Sequence, residues 1–297
     1  MDEPVLLTGA GGRVGQAILR GIGDDYDWRL LDREPLPAAK VPDGVTDADR
    51  YVADITDERA VREAIADVGA VIHLAGDPRK TAPWDSVLRN NIDGTQVVMR
   101  AAAEAGVEKF AFASSNHAVG GYETDDRTPD LYRPDDGYRL DGTELPRPGN
   151  LYGVSKAAGE SLGRFYHDEF DMSVVCVRIG NLTKDHPPRE YERGQAMWLS
   201  HRDCAHLFDR CLRATYGYEV VYGISDNDRR YYSIERAREA LGYDPADNSG
   251  DYTFEGEPKP DRDTETNGGR YAAGADAADA PAEPNFPADP DAPSDDA

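Results

Sequence analysis

Short apolar runs alternate with longer amphipathic ones from the first residues onward. Val5–Leu7, Trp28–Leu31, Arg50–Ala53, Val71–Leu74, Phe110–Ala113 and Val174–Val177 read as strands. Between them, helical spacing begins at Val14–Leu19 and returns at Ala60–Val68, Trp84–Ala105 and Leu151–Phe170. Short apolar strands separated by helix-length stretches predict an α/β fold with a parallel sheet covered on both faces, since each parallel crossover carries its own helix.

Beyond Arg178 the pattern loosens. A Pro-containing loop, Thr183–Gly194, leads to a helix at His201–Ala214, a strand at Glu219–Val221 and a helix at Ser233–Leu241. This is small for an independent domain and is expected to form a C-terminal substrate-binding lobe over residues 181–254, after a larger α/β domain at 1–180. From about Glu255 to residue 297 large apolar residues almost vanish. Such a tail cannot bury enough surface to offset its conformational entropy and is expected to be disordered.

Charge changes the picture in one respect. The 57 acidic and 33 basic residues give a formal charge of −24, and only six of the cations are lysine. Acid excess with little lysine fits a salty cytoplasm, where counter-ions screen self-repulsion. It argues against nucleic acid or an anionic membrane as partner. No apolar run is long enough for a membrane span, and the acidic start does not resemble a signal peptide. Three cysteines and six scattered histidines suggest neither a disulfide framework nor a metal site, so a reducing cytoplasm is expected.

Candidate chemistry appears at the end of the first strand. Gly9, Gly12 and Gly15 open a helix, a spacing that permits a tight turn, backbone approach to a pyrophosphate and close helix–strand packing. This is the turn of a Rossmann-type doubly wound sheet. Asp32, after the second strand, is placed to accept from an adenosine ribose and repel a 2′-phosphate, which favours NAD. Arg33 beside it leaves NADP open. Further along, Tyr152 and Lys156 share a helix face, where a nearby ammonium, reinforced by the positive nicotinamide of NAD, is expected to lower the phenol pKa. Ser115, Asn116 and His117 follow the Phe110–Ala113 strand, at the end where ligands sit in such sheets.

These segments together resemble the extended short-chain dehydrogenases. Phe112–His117, Leu151–Lys156, Val177–Gly180 and Trp198–His201 resemble more narrowly the uronate dehydrogenase group, in its haloarchaeal, sugar-phosphate-oxidising branch. The resemblance implies NAD as cofactor and Ser115, Tyr152 and Lys156 as the catalytic set. It implies cofactor contacts from Gly9, Gly12, Arg13, Val14, Gly15, Asp32, Asp54, Ile55, Leu74, Ala75, Gly76, Asn91, Tyr152, Lys156 and Ile179. Ser115, Asn116, His117, Tyr152, Asn181 and Arg193 would touch substrate.

The reaction so implied is oxidation of a sugar at C1. Arg193 can grip a carboxylate or a phosphate. Lys184, His186 and Arg189 add cations to its loop, and Arg79 with Lys80 offers another phosphate contact. These weakly favour a phosphosugar, glucose 6-phosphate, although Asp185, Glu190 and Glu192 nearly neutralise the loop. A uronate is the alternative substrate. A nucleotide-sugar epimerase would need a larger C-terminal lobe, and a non-catalytic NAD sensor would need no Tyr/Lys pair. A homo-oligomer, dimer or larger, is expected through the Trp84–Ala105 and Leu151–Phe170 helices.

Overall fold

The computed structural model describes residues 3–123, 139–183, 187 and 193–252. Seven parallel strands form one sheet in the order β3-β2-β1-β4-β5-β6-β9. They are β1 (Val5–Thr8), β2 (Trp28–Asp32), β3 (Arg50–Val52), β4 (Ala70–His73), β5 (Lys109–Ser115), β6 (Ser173–Ile179) and β9 (Tyr218–Gly223). The chain winds outward from β1 to β3, then crosses to β4 and winds the other way. A crevice opens at that reversal, beyond the carboxyl ends of β1 and β4.

Alternation along each strand assigns the two faces. Val5, Leu7, Leu30, Ile72, Ala111 and Val175 lie under α1 (Arg13–Ile22) and α7 (His201–Arg213). Leu6, Leu31, Val71, Phe110, Phe112 and Val174 lie under α2 (Glu58–Ile65), α4 (Gly94–Ala105) and α5 (Leu151–Phe170). Helices α1 and α7 touch at Gly21, where a Cβ would stand 2.3 Å from that of Ala205. Glycine is required there.

The expected strands are all present, and several boundaries move for local reasons. Helix α2 starts at Glu58 because Asp57 caps it, accepting from the Arg59 and Ala60 amides at 3.1 and 3.2 Å. It stops at Ile65, ahead of Asp67 at φ 58°. The stretch expected as one regular helix is in fact α3 (Trp84–Ser86), a π-helical segment (Val87–Asp93) and α4. Periodicity does not register one widened turn.

Residues 201–223 were expected in the covering lobe. They belong instead to the body of the sheet, since α7 covers one face and β9 extends the edge beside β6. What lies over the carboxyl ends is smaller. Strands β7 (Asn181–Leu182) and β8 (Trp198–Leu199) pair around α6 (Arg193–Ala196), whereas α8 (Glu235–Leu241) after β9 buries Ala237 and Leu241 in the same core as α7. Val119, Leu140, Met197, Tyr222, Tyr231 and Tyr232 form a separate apolar cluster at this end. The tail from Glu255 lies outside the described residues, among which no helix is long and apolar enough to cross a membrane.

Candidate active site

The turn after β1 is shaped by what glycine permits. Gly9 has φ 71°, and a Cβ on it would stand 2.8 Å from the Ala75 nitrogen. A Cβ on Gly15 would stand 2.7 Å from Ala10 O, so α1 could not lie this close to β1 with any other residue. No side chain caps α1 at Gly12. Its first amides therefore stay available to an anion, reinforced by the positive end of the helix dipole. Asp32 accepts from the Gly11 amide at 2.7 Å through Oδ2, which leaves the carboxylate at the rim of the turn. A bare helix N-terminus for a pyrophosphate and a rim carboxylate for a ribose fit NAD. Arg13 Nη1 donates to Leu182 O at 2.9 Å and so joins this turn to β7. A cavity of about 540 Å³ opens on the outer flank of α1, with Gly12, Gln16, Lys40 and His201 in its wall.

Neighbouring loops complete the crevice rim. Asp54 accepts from the Thr56 amide and hydroxyl at 2.9 and 2.8 Å. These bonds, with the Arg89 and Arg33 charges, hold its carboxyl below the usual range. Thr8 Oγ1 accepts from the amides of Leu74 and Ala75 at 3.2 and 3.3 Å and meets His73 Nδ1 at 2.7 Å. That leaves the Thr8 proton for Nδ1 and assigns the ring proton to Nε2, 3.1 Å from Thr95 Oγ1. Burial pushes the His73 imidazole down to about 3. It is a satisfied, neutral buttress for the Leu74–Gly76 turn.

The π-helical turn serves the same region. It brings Asn91 inward, where Nδ2 donates to Asp77 O and Ser155 Oγ, both at 3.0 Å, and Oδ1 accepts from the Asp77 amide at 2.6 Å. Both amide hydrogens are thus spent on protein, and only the carbonyl oxygen retains capacity for a ligand. Ser155 in turn donates to Tyr152 O at 2.7 Å. Arg79, considered above for phosphate, is held by a bidentate pair with Asp77 at 2.9 and 2.6 Å. That pairing draws the Asp77 carboxyl well below its usual range.

At the other end of the crevice, β5 delivers Ser115 and α5 delivers Tyr152 and Lys156. Asn150 caps α5 by accepting from the Gly153 amide at 2.8 Å, and its Nδ2 lies 3.2 Å from His117 Nδ1. The His117 ring stands edge-on to Tyr152 at 5.8 Å between centroids. Ser115 Oγ accepts from the His117 amide at 3.2 Å and lies 3.3 Å from Asn116 Oδ1. Lys156 Nζ donates to Ala113 O at 2.8 Å and sits 5.4 Å from the Tyr152 ring centre.

Burial sets the electrostatics of this group. The Tyr152 phenol is raised, not lowered: burial dominates, and a hydrogen bond with Ser115 offsets it only in part. Burial also brings the Lys156 ammonium down to about 8, with the Glu160 carboxylate opposing the fall.

Ile179 ends β6 and Asn181 opens β7, so both border the same crevice. Arg193 begins α6, but its side chain, with Lys184, His186 and Arg189, lies outside the described residues. Asn150, Ser155, Asp77, Glu160 and Arg178 were not singled out from sequence. Ser155 and Arg178 lie inside the Leu151–Lys156 and Val177–Gly180 segments, and Asn150 is an N-cap type directly before the Leu151 helix.

Residues 5–201 match the model of the NAD dependent epimerase/dehydratase family. An NAD-dependent glucose-6-phosphate dehydrogenase from Haloferax volcanii is 75% identical over 258 residues, 87% of this chain and 98% of that protein. A uronate dehydrogenase from Pseudomonas putida is 33% identical over 87% of this chain and 90% of its own. Among solved structures, a variant uronate dehydrogenase from Agrobacterium tumefaciens complexed with NAD superposes at TM-score 0.70 with 31% identity, covering 83% of this chain and 86% of that one.

Proposed function

The chain belongs to the NAD dependent epimerase/dehydratase family, and from that premise we propose that it oxidises glucose 6-phosphate at C1 with NAD, giving 6-phosphoglucono-1,5-lactone. The substrate rests on the 75% identity to the Haloferax glucose-6-phosphate dehydrogenase. The chemistry rests on one observation, the meeting of the Ser115 hydroxyl, the buried Tyr152 phenol and the Lys156 ammonium.

In this reading Ser115 Oγ hydrogen-bonds the sugar O1 and orients it toward Tyr152. Tyr152 Oη takes the O1 proton as C1 becomes a carbonyl. Lys156, held by Ala113 O, favours the phenolate by its charge. When bound, NAD supplies the hydride acceptor and a second positive charge beside the phenol. Gly9, Gly12, Arg13, Val14, Gly15 and Asp32 would hold its pyrophosphate and adenosine. Asp54, Ile55, Leu74, Ala75, Gly76, Asn91 and Ile179 would line the rest of its path. Asn116, His117, Asn181 and Arg193 would bind the sugar and its charged end.

The same reading makes residues 1–180 the cofactor-binding part, 181–254 in part the substrate cover, and 255–297 an acidic tail. A cytoplasmic homodimer through the outer faces of α4 and α5 would cover Phe165 and Phe170, which are 53% and 51% exposed.

A substrate panel in multimolar KCl tests the proposal, with NADH formation followed on glucose 6-phosphate, glucuronate, arabinose and UDP-glucose. The kcat/KM for glucose 6-phosphate should exceed the others at least about tenfold, as expected when only one substrate's charged end matches the contacts of the site. A preference for glucuronate would move the chain to the uronate reading.

A further inference from the structure

Beneath the catalytic group lies a buried ion pair that the chemistry above does not use. Glu160 follows Lys156 by one turn of α5 and is 4% exposed. Arg178 on β6 grips its carboxylate with two hydrogen bonds, Nε to Oε1 and Nη2 to Oε2, both 2.9 Å. Ser114 on β5 donates to Oε1 at 2.6 Å. The remaining Arg178 nitrogen, Nη1, reaches the Tyr222 hydroxyl at 3.3 Å and Glu144 Oε2 at 3.4 Å. One carboxylate thus joins the strand ending in Ser115, the helix carrying Tyr152 and Lys156, and the strand ending in Ile179.

Stability does not account for this arrangement. Desolvating two charges largely cancels their attraction, and apolar residues of similar volume do as well or better in such places. The neighbourhood of Lys156 suggests another reason. Its ammonium is 6% exposed and meets the Ala113 carbonyl, the Phe112 ring at 5.0 Å and the Tyr152 ring, none of them an anion. Resting on the dehydrogenase reading, we propose that Glu160 is a positioning residue, whose carboxylate keeps Lys156 charged and holds Ser115 in register with Tyr152.

The groups around the pair bear this out. Facing Glu160 are Lys156 on its own helix, Ser114 on β5, Arg178 and Cys176 on β6, and Tyr218 on β9, whose hydroxyl donates to Glu160 O at 3.0 Å. Burial pushes the Cys176 thiol and the Tyr218 phenol up, so both stay neutral. Glu144 contacts Arg178 and Tyr222. His73, also close to Lys156, is neutral. Glu160 is the one anion acting on Lys156 among the described residues.

The test is the pH profile of kcat for wild type, Glu160→Gln and Glu160→Asp, with NAD saturating in multimolar KCl. Loss of the anion lowers the Lys156 pKa, so the alkaline limb should move to lower pH by about one unit in Glu160→Gln. Glu160→Asp keeps the charge and should keep the limb. The KM for NAD should change less than about twofold, since the pair touches no cofactor position. Because stripping one partner from a buried pair can unfold a chain, Glu160→Gln with Arg178→Gln removes both charges and should move the limb the same way by a smaller step, since the lost Arg178 cation had opposed the carboxylate at Lys156. An unmoved limb in either folded variant overturns the proposal. So does a double variant that fails to fold, which would assign the pair to stability. Tyr152→Phe separates the two readings: if it keeps its rate, the base assignment fails, whereas a dead Tyr152→Phe with an unmoved Glu160→Gln limb sinks only this inference.

Discussion

The two ends of the crevice are built from different materials. At the β1–β2 end the ligand site is mostly backbone: a glycine turn, bare amides at the start of α1 and one rim carboxylate. At the β5–β6 end it is side chains, with Ser115, Tyr152 and Lys156 supported by the buried Glu160, Arg178 and Ser114. A backbone site needs only room and the right φ, and so tolerates solvent. A site made of charge needs burial, and burial then displaces every pKa in it. The difference shows in Tyr152, whose burial holds the phenol above its ordinary value although an ammonium lies over its ring.

The largest expected break in this contrast is at the side-chain end. Tyr152→Phe should lower kcat by a hundredfold or more, the usual worth of a positioned acid–base group, while NAD titrations remain near wild type. A residual rate above about a tenth would remove Tyr152 from the base role. At the backbone end, Gly15→Val forces a side chain into the 2.7 Å gap to Ala10 O. It should cost about 1–3 kcal/mol of stability, seen as a lower Tm, and weaken NAD binding with it. Unchanged melting would mean that α1 can move off β1 freely.

Asp32→Ala probes the rim carboxylate. It should weaken NAD by about tenfold, within the range for a hydrogen bond to a charged group, and narrow the preference over NADP. Equal loss for both dinucleotides would show that Asp32 only fixes the turn. At neutral pH the acid sensitivity of His73 has no effect, and it grows only on acidification. Its folded value, about 3, lies below the unfolded value near 6.5. Above 6.5 it contributes nothing to pH dependence. As pH falls below 6.5 the unfolded chain alone takes up the proton, and this group removes about 1.4 kcal/mol per unit until about pH 3. Melting curves at pH 7 and pH 5 should therefore converge in His73→Asn relative to wild type, and parallel curves would contradict the buried neutral assignment.

Much of this molecule was legible in the chain. Every strand of the main sheet except the edge strand β3, Arg50–Val52, coincides with an apolar run, and α5 spans Leu151–Phe170 as its pattern implied. The glycine turn was legible because positive φ and a missing Cβ have one residue as their solution. The π-helical turn was not, since one extra residue in a turn scarcely disturbs apolar spacing, yet it is what carries Asn91 to Ser155. The sheet membership of residues 201–223 was also hidden, because pairing of β9 with β6 spans some forty residues and leaves no local mark. Glu160 and Arg178 look in sequence like solvated charges. Their importance appears only once both are known to be buried against each other.

The sequence by itself therefore determined what local sterics and periodicity control: the order of strands and helices, the glycine turn after β1, the place of Asp32 at the end of β2 and the Tyr152–Lys156 helix face. Tertiary structure decided what depends on long-range contact: the edge that β9 completes, the capture of Arg79 by Asp77, and the charge states of Tyr152, Lys156 and His73. The physical reason is range. Backbone conformation is set within a few residues, whereas desolvation and ion pairing are set by whatever the fold brings alongside.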